Sequence, residues 1–163
     1  PAVLRNLARV PSPYGIKDAQ AFLALPHHPH MPRLLAFTRT RGAPRLIGGC
    51  GLHPDENGAP ELGYWIARPY WGLGFATEAA RAVVGMARAS GVRNIRAGHF
   101  ADNPASGNVL RKLGFRFTGE TQKRHSLGRN ALVDCLIFEE GEGGGMNDDP
   151  AMDLYGDALP VAA

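Results

Sequence analysis

The sequence predicts a single α/β domain on a mixed, mostly antiparallel central sheet flanked by helices, and two observations carry that expectation. Stretches of alternating polarity recur with stretches whose apolar residues fall three and four apart, in the order strand, strand, strand, helix, strand, helix, strand, strand. The connections divide into short turns, which make antiparallel neighbours, and helical crossovers, which make parallel ones. At 163 residues and 44% hydrophobic content, the chain has the length of one domain and the apolar content for its core.

The segment up to about Pro32 reads as a short helix between proline-rich turns. Pro11, Pro13 and Gly15 break the chain, and Ala19, Phe22 and Leu23 then fall at helical spacing in IKDAQAFLAL. LLAFTRT (34–40) and RLIGGCGLH (45–53) are strands joined through Arg41, Gly42, Ala43 and Pro44, a hairpin. After the polar turn PDENGAP, the strand ELGYWIA (61–67) turns Leu62, Tyr64 and Ile66 to one side and Glu61, Gly63 and Trp65 to the other.

The period then changes. Thr77 to about Ala89 is an Ala-rich helix with Ala79, Ala80, Val83 and Ala87 on one face, stopped by Gly91. VRNIRAGHF (92–100) is a strand, and ASGNVLRKLGF is a short helix that buries Val109, Leu110 and Leu113 and stops at Gly114. FRFTGETQKR and ALVDCLIFEE close the body at about residue 140. Residues 141–163 combine a glycine run with acids and little apolar periodicity, so they are expected to form a largely disordered acidic tail anchored at most through Met152, Leu154, Tyr155 and Leu159.

Charge is split along the chain. Residues 1–138 carry all 18 Lys and Arg against 8 acids, and 139–163 carry 7 acids and no base. Such a basic body calls for an anionic ligand, with which the acidic tail is expected to compete. No run approaches the roughly 18 apolar residues of a membrane helix, and PAVLRNLARV lacks the pattern of a signal peptide, so a soluble, cytoplasmic protein is expected. Cys50 and Cys135 do not make a disulfide framework and are read as reduced core residues. His27, His28 and His30 are interrupted by prolines and have no Cys or acid beside them, which favours a loop over a metal site. Nucleic acid is disfavoured because the bases form no clustered run with interleaved aromatics.

Trp71, Gly72, Leu73, Gly74, Phe75, Ala76 and Thr77 lie between a strand and a helix N-terminus. Unpaired N–H groups and a positive dipole end face outward there, the glycines permit close approach, and a diphosphate fits. The dinucleotide fingerprint fails because Thr77 stands at its third glycine, and the P-loop fails for want of a lysine.

ELGYWIARPYWGLGFATEA (61–79), followed after 23 residues by NPASGNVLRKLGF (103–115), resembles the GNAT N-acetyltransferases, particularly the RimJ/RimL-like branch that acetylates protein N-terminal amines. The family's loop pattern is [QR]-x-x-G-x-[GA]. Gly74 and Ala76 match it, and Trp71 departs at the first position. The resemblance spans about Pro13 to Phe138 and implies acetyl-CoA as co-substrate, with no metal. It further implies a sheet splayed between the fourth and fifth family strands. Ile66 and Ala67 backbone groups would hold the pantetheine, Trp71 to Thr77 would cradle the pyrophosphate, Asn103 would contact the cofactor arm, and Ser106 would lie near the thioester sulfur. Family members begin with an edge strand and a long helix that this sequence lacks. The resemblance therefore implies a missing N-terminal edge strand and an exposed edge at 34–40, which a partner subunit would cover in a homodimer.

Acetyl transfer needs a neutral amine, and magnitudes rank the acceptors. An α-amine of pKa about 8 is roughly a tenth neutral at pH 7, whereas a lysine near 10.4 is neutral in about one molecule in 2,500. The base therefore matters more than the acid. Glu61 is the first candidate, acting through a water, with a solvated strand-end glutamate as the inert alternative. His99 competes, either as a base or as a satisfied buried histidine, and Glu78 in the first helical turn is expected to serve the helix dipole or fix the glycine loop rather than abstract a proton. Many members of the resembled family use a tyrosine on this helix as the acid and RimL-like ones a serine; ASGNVLRKLGF has no tyrosine, so the resemblance implies Ser106 as the acid, the alternative being that Asn103 or Ser106 merely caps the helix. A backbone N–H of the splayed strand would hold the oxyanion. The acceptor is expected to be a protein N-terminal α-amine. An amino-sugar, aminoglycoside or other small-amine acetyltransferase and a non-catalytic acyl-CoA-binding module remain as alternatives.

Overall fold

Glycine-rich, β-branched and aromatic residues between 33 and 66 allow three strands to lie side by side. β1 (Arg33–Thr38) pairs antiparallel with β2 (Arg45–Pro54), which pairs antiparallel with β3 (Pro60–Ile66). The computed structural model describes residues 2–39 and 42–141. The acidic tail beyond Gly141 lies outside the described residues.

From β3 the chain passes through a single 3-10 turn, Arg68–Tyr70, into α2 (Phe75–Ala89), which follows an earlier helix α1 (Ile16–Leu23). Then come β4 (Arg96–Phe100), α3 (Pro104–Lys112), β5 (Phe115–Ser126) and β6 (Ala131–Glu140). The six strands form one sheet in the order β1-β2-β3-β4-β6-β5, antiparallel throughout except for β3 and β4. The expected mixed sheet is therefore present, with α2 and α3 as its crossovers.

Element boundaries differ from the sequence expectation for local reasons. α2 starts at Phe75, two residues before Thr77, because Gly74 adopts φ 81° and turns the chain directly into the helix. Its C-terminus closes through Gly91 (φ 86°), with the Val92 N–H on the Ala87 carbonyl at 3.0 Å and the Gly91 N–H on the Arg88 carbonyl at 3.0 Å. That closure and the left-handed Asn94 use up residues 92–95, so β4 begins at Arg96 rather than Val92. β5 runs on to Ser126 across an irregularity in which Phe117 and Thr121 face Phe138 and Leu136.

The core lies between the sheet and the two crossover helices. Leu52, Leu62, Ala97 and Phe138 from the strands meet Ala80, Val83 and Ala87 of α2 and Leu110 of α3. On the opposite face a smaller cluster of Phe100, Cys135 and Ile137 is covered by Ala8 of the N-terminal segment. That segment is fixed by the Leu127 N–H on the Ala8 carbonyl at 2.9 Å and the Ser126 hydroxyl on the Leu7 carbonyl at 3.1 Å. Cys50 and Cys135 are free and buried in different clusters, and burial pushes their thiols up to about 12 and about 11.

α1 forms, yet it buries none of its residues, and Ile16, Phe22 and Leu23 are exposed. β1 is the sheet edge, with Leu34, Leu35 and Phe37 also exposed. Among the described residues no helix is long and apolar enough to cross a membrane.

These packing differences predict different mutational costs. Leu110→Ala, at a side chain with 0% exposure, should lower the free energy of unfolding by about 2–5 kcal/mol in a urea titration. Leu23→Ala, 70% exposed, should stay within about 0.5 kcal/mol.

Candidate functional site

β3 and β4 are parallel and share only two residue pairs, Glu61 with Arg96 and Leu62 with Ala97. Beyond them β3 stays with β2 as far as Ile66, and β4 stays with β6 as far as Phe100. The two strands therefore splay, and alternation leaves the inward-turned backbone groups of Tyr64 and Ile66 without a ladder partner. The open edge lies slightly earlier than Ile66 and Ala67. The Ala67 N–H donates to the Ile47 carbonyl at 2.7 Å, and the Ala67 carbonyl accepts the Tyr70 N–H at 2.9 Å. The Ile66 carbonyl accepts the Trp71 indole N–H at 2.7 Å. What remains for an added strand is the Tyr64 backbone and the Ile66 N–H. Trp71 thus fixes the turn out of β3 with its side chain.

The glycine loop lies at the wide end of this gap. Gly72 (φ 75°) and Gly74 (φ 81°) are both left-handed, and a Cβ at either would meet nothing within 4 Å, so the requirement is conformational and the space above the loop is open. Gly74 supplies no side-chain cap, and its carbonyl takes the Glu78 N–H at 3.0 Å. The first-turn N–H groups of Phe75, Ala76 and Thr77 are left facing outward. Glu78 is exposed in that turn, where its charge suits the helix dipole. Under the loop, Ile66, Ala76 and Val109 pack with Tyr70, Trp71 and Phe75, tying the start of α2 to the second half of α3, while Leu73 points to solvent. An uncapped helix start with an open glycine cradle fits a diphosphate.

The sheet separates the candidate side chains. Glu61 shares a face with Arg96, whereas Leu62, Tyr64, Ala97 and His99 belong to the helix face. Glu61 is not a solvated strand end: it is 6% exposed and accepts a short charged hydrogen bond from Arg124 Nη1. Its cross-strand neighbour is His53, whose pKa burial and the nearby Arg9 hold below the ordinary value. Nothing local in the sequence signals Arg124, because it stands 63 residues from Glu61 and meets it only through the β4–β6–β5 pairing.

On the helix face, Ser106 does not cap α3. Asn103 is the N-cap residue and makes no side-chain cap bond, although its carbonyl takes the Ser106 N–H at 3.2 Å. The Ser106 hydroxyl instead meets Tyr64 Oη at 2.8 Å, and Tyr64 Oη also donates to the Ser106 carbonyl at 3.1 Å. The sequence set Tyr64 on the same side of its strand as Leu62 and Ile66 and assigned it no role. The available signal was a polar-tipped aromatic on an otherwise aliphatic face, since a buried phenol needs a partner. His99 lies beside this pair. Its Nδ1–H donates to the Phe100 carbonyl at 2.8 Å, its ring stands 5.3 Å from that of Phe138, and Nε2 is buried without a partner among the described residues. Nε2 faces Gly107, where a Cβ would come within 2.7 Å of it. Asn103 is buried between β4 and α3. His28 and His30 contact each other edge-on at 6.0 Å, and among the described residues no group of three or more His, Cys, Asp or Glu could hold a metal ion.

Burial lowers the His99 pKa below 6.5 and outweighs the Phe100 hydrogen bond that raises it. The unfolded chain therefore takes up a proton at a pH where the fold does not, so stability is full above about pH 6.5 and is lost as pH falls. The melting temperature should decline from pH 7.5 to 5.5, and His99→Phe should make that decline shallower.

Residues 1–116 match the family described as Acetyltransferase (GNAT) domain. The uncharacterized N-acetyltransferase p20 of Bacillus licheniformis is 31% identical over 96 residues, 57% of this chain and 53% of that protein. The chain spans about half the length of the curated relatives it matches. The crystal structure of a ribosomal-protein-alanine N-acetyltransferase from Brucella melitensis aligns with a TM-score of 0.64 at 21% identity, covering 77% of this chain and 78% of that one. yncA of Salmonella typhimurium, an acetyltransferase structure with its cofactor acetyl-CoA, aligns with a TM-score of 0.51 at 16% identity over 63% of each chain. At these identities the two structures show the fold.

Proposed function

The chain belongs to the GNAT acetyltransferase family, and on that premise we propose that it is a cytoplasmic, RimJ/RimL-like N-acetyltransferase that moves an acetyl group from acetyl-CoA to a protein N-terminal α-amine. The observation that carries the reading is the splay of β3 and β4 with the uncapped start of α2 at its wide end. Acetyl-CoA supplies an acetyl group activated as a thioester. Phe75, Ala76 and Thr77 N–H groups would bind its pyrophosphate, Gly72 and Gly74 would let it approach, and the Tyr64 backbone with the Ile66 N–H would hold the extended arm as an added strand.

On one side of the sheet Glu61 would draw the proton from the attacking amine through a water; on the other Ser106 would donate a hydrogen bond to the departing sulfur. His99 is a weaker candidate for proton transfer, because it lies on the face away from Glu61 and one nitrogen is spent on a backbone carbonyl. The α-amine is favoured by its own neutral fraction: near pKa 8 it loses a proton at pH 7 far more readily than a lysine and asks less of any base. The exposed edge of β1 supports a homodimer as the assembly.

Two measurements test this function. Acetyl-CoA should raise the melting temperature, and free-thiol release should then appear with peptides bearing a free α-amine ahead of amino sugars and other small amines. Binding with no release by any amine would favour an acyl-CoA-binding module; no thermal shift would remove acetyl-CoA altogether. Glu61→Gln should lower kcat about 10²–10⁴-fold with little change in the thermal shift.

A further inference from the structure

We propose that Tyr64 is a positioning residue that sets the direction of the Ser106 hydroxyl proton, turning it toward the sulfur as the thioester breaks; this rests on the acetyl-transfer reading above. Tyr64 Oη has one proton and two acceptors within reach, both on the same residue: the Ser106 carbonyl at 3.1 Å and the Ser106 hydroxyl at 2.8 Å. Two arrangements follow. When Tyr64 donates to the carbonyl, the serine proton is spent on Tyr64 Oη. When Tyr64 donates to Ser106 Oγ, the serine proton is released and can point elsewhere. The exchange needs two hydroxyl rotations and no movement of heavy atoms.

Location makes the second arrangement useful. Tyr64 projects from the part of β3 that has already parted from β4, and Ser106 lies in the first turn of the helix that follows β4, so their contact links the two sides of the splay on its helix face, beside the gap that the acetyl-bearing arm would occupy. Without a partner, a serine hydroxyl in a helix tends to bond back to a carbonyl one turn earlier, which would hide its proton. Tyr64 competes with that habit.

The chemistry balances without a proton leaving the pair. The amine lone pair forms the C–N bond, the C–S bond breaks with its electrons passing to sulfur, and the amine proton departs on the Glu61 side. A thiol near pKa 8.5 leaves readily as thiolate, whereas tyrosine ordinarily titrates near 10. Burial pushes Tyr64 further up. Tyr64 therefore keeps its proton, and the pair stabilises the thiolate by a donated hydrogen bond, aided by the positive end of α3.

The test is a double-mutant cycle on steady-state acetylation of an α-amine peptide, with melting temperatures as the control for folding. Tyr64→Phe keeps the ring in place and should lower kcat about tenfold, with KM for acetyl-CoA changed less than about twofold, as expected for a contact that strengthens only during reaction. Ser106→Ala should lose as much, and the double variant should be no slower than Ser106→Ala alone. An unchanged kcat in Tyr64→Phe, a change confined to KM, or losses that multiply in the double variant would overturn the proposal. Absence of thiol release by the unaltered chain with every amine would overturn the acetyl-transfer reading, and this inference with it.

Discussion

Two residue pairs hold β3 to β4, and the rest of the site depends on the ladder stopping there. Each strand continues, but only with its outer partner: β3 with β2 and β4 with β6. A sheet interior with unpaired backbone groups is costly unless water or an extended ligand satisfies them. The fold tolerates the gap because its neighbours are strongly held. Phe138, Leu52 and Leu62 anchor the closed end against α2 and α3, and the Trp71 indole secures the Ile66 carbonyl at the open end.

The same gap would order the chemistry of the proposed transfer. Because β3 and β4 are parallel, the helices that follow them both begin at its wide end, which sets the uncapped α2 N-terminus where anionic groups would lie. Because the sheet is one layer thick, Glu61 with Arg124 and Ser106 with Tyr64 face opposite sides of it. A group threaded between the strands would meet a carboxylate from one side and a hydroxyl pair from the other, the division of labour that attack and departure at one carbon require. The ion pairs of the body sharpen its basic character. Arg124, Arg129 and Arg88 are tied to Glu61, Asp102 and Glu140. They lock distant segments together.

Much of the fold was legible in the sequence. Period-2 and period-3.6 stretches located each strand and helix, Gly91 and Gly114 stopped α2 and α3, and the glycine loop with NPASGNVLRKLGF pointed to the family that residues 1–116 match. These features are written locally, in side-chain alternation and in backbone angles that glycine alone adopts without strain. The apolar face of α1 was equally legible, yet no described neighbour buries it, because periodicity states that a face can be buried and not what it meets.

Only the tertiary structure decided the state of the site residues. Glu61 read as a base or a solvated strand end and is a buried partner of Arg124; Ser106 read as a cap or an acid and is bonded to Tyr64; His99 is enclosed, with one nitrogen unpartnered among the described residues and facing Gly107. The first two outcomes turn on contacts between residues far apart in the chain, 63 for Glu61 and Arg124 and 42 for Tyr64 and Ser106. The sequence by itself determined the elements and the chemical types carried on them, since these follow from local sterics and hydrophobic period. Which charges are paired, which hydroxyls are shared and where the strands part depended on sheet order and register, which exist only once the whole layer has assembled.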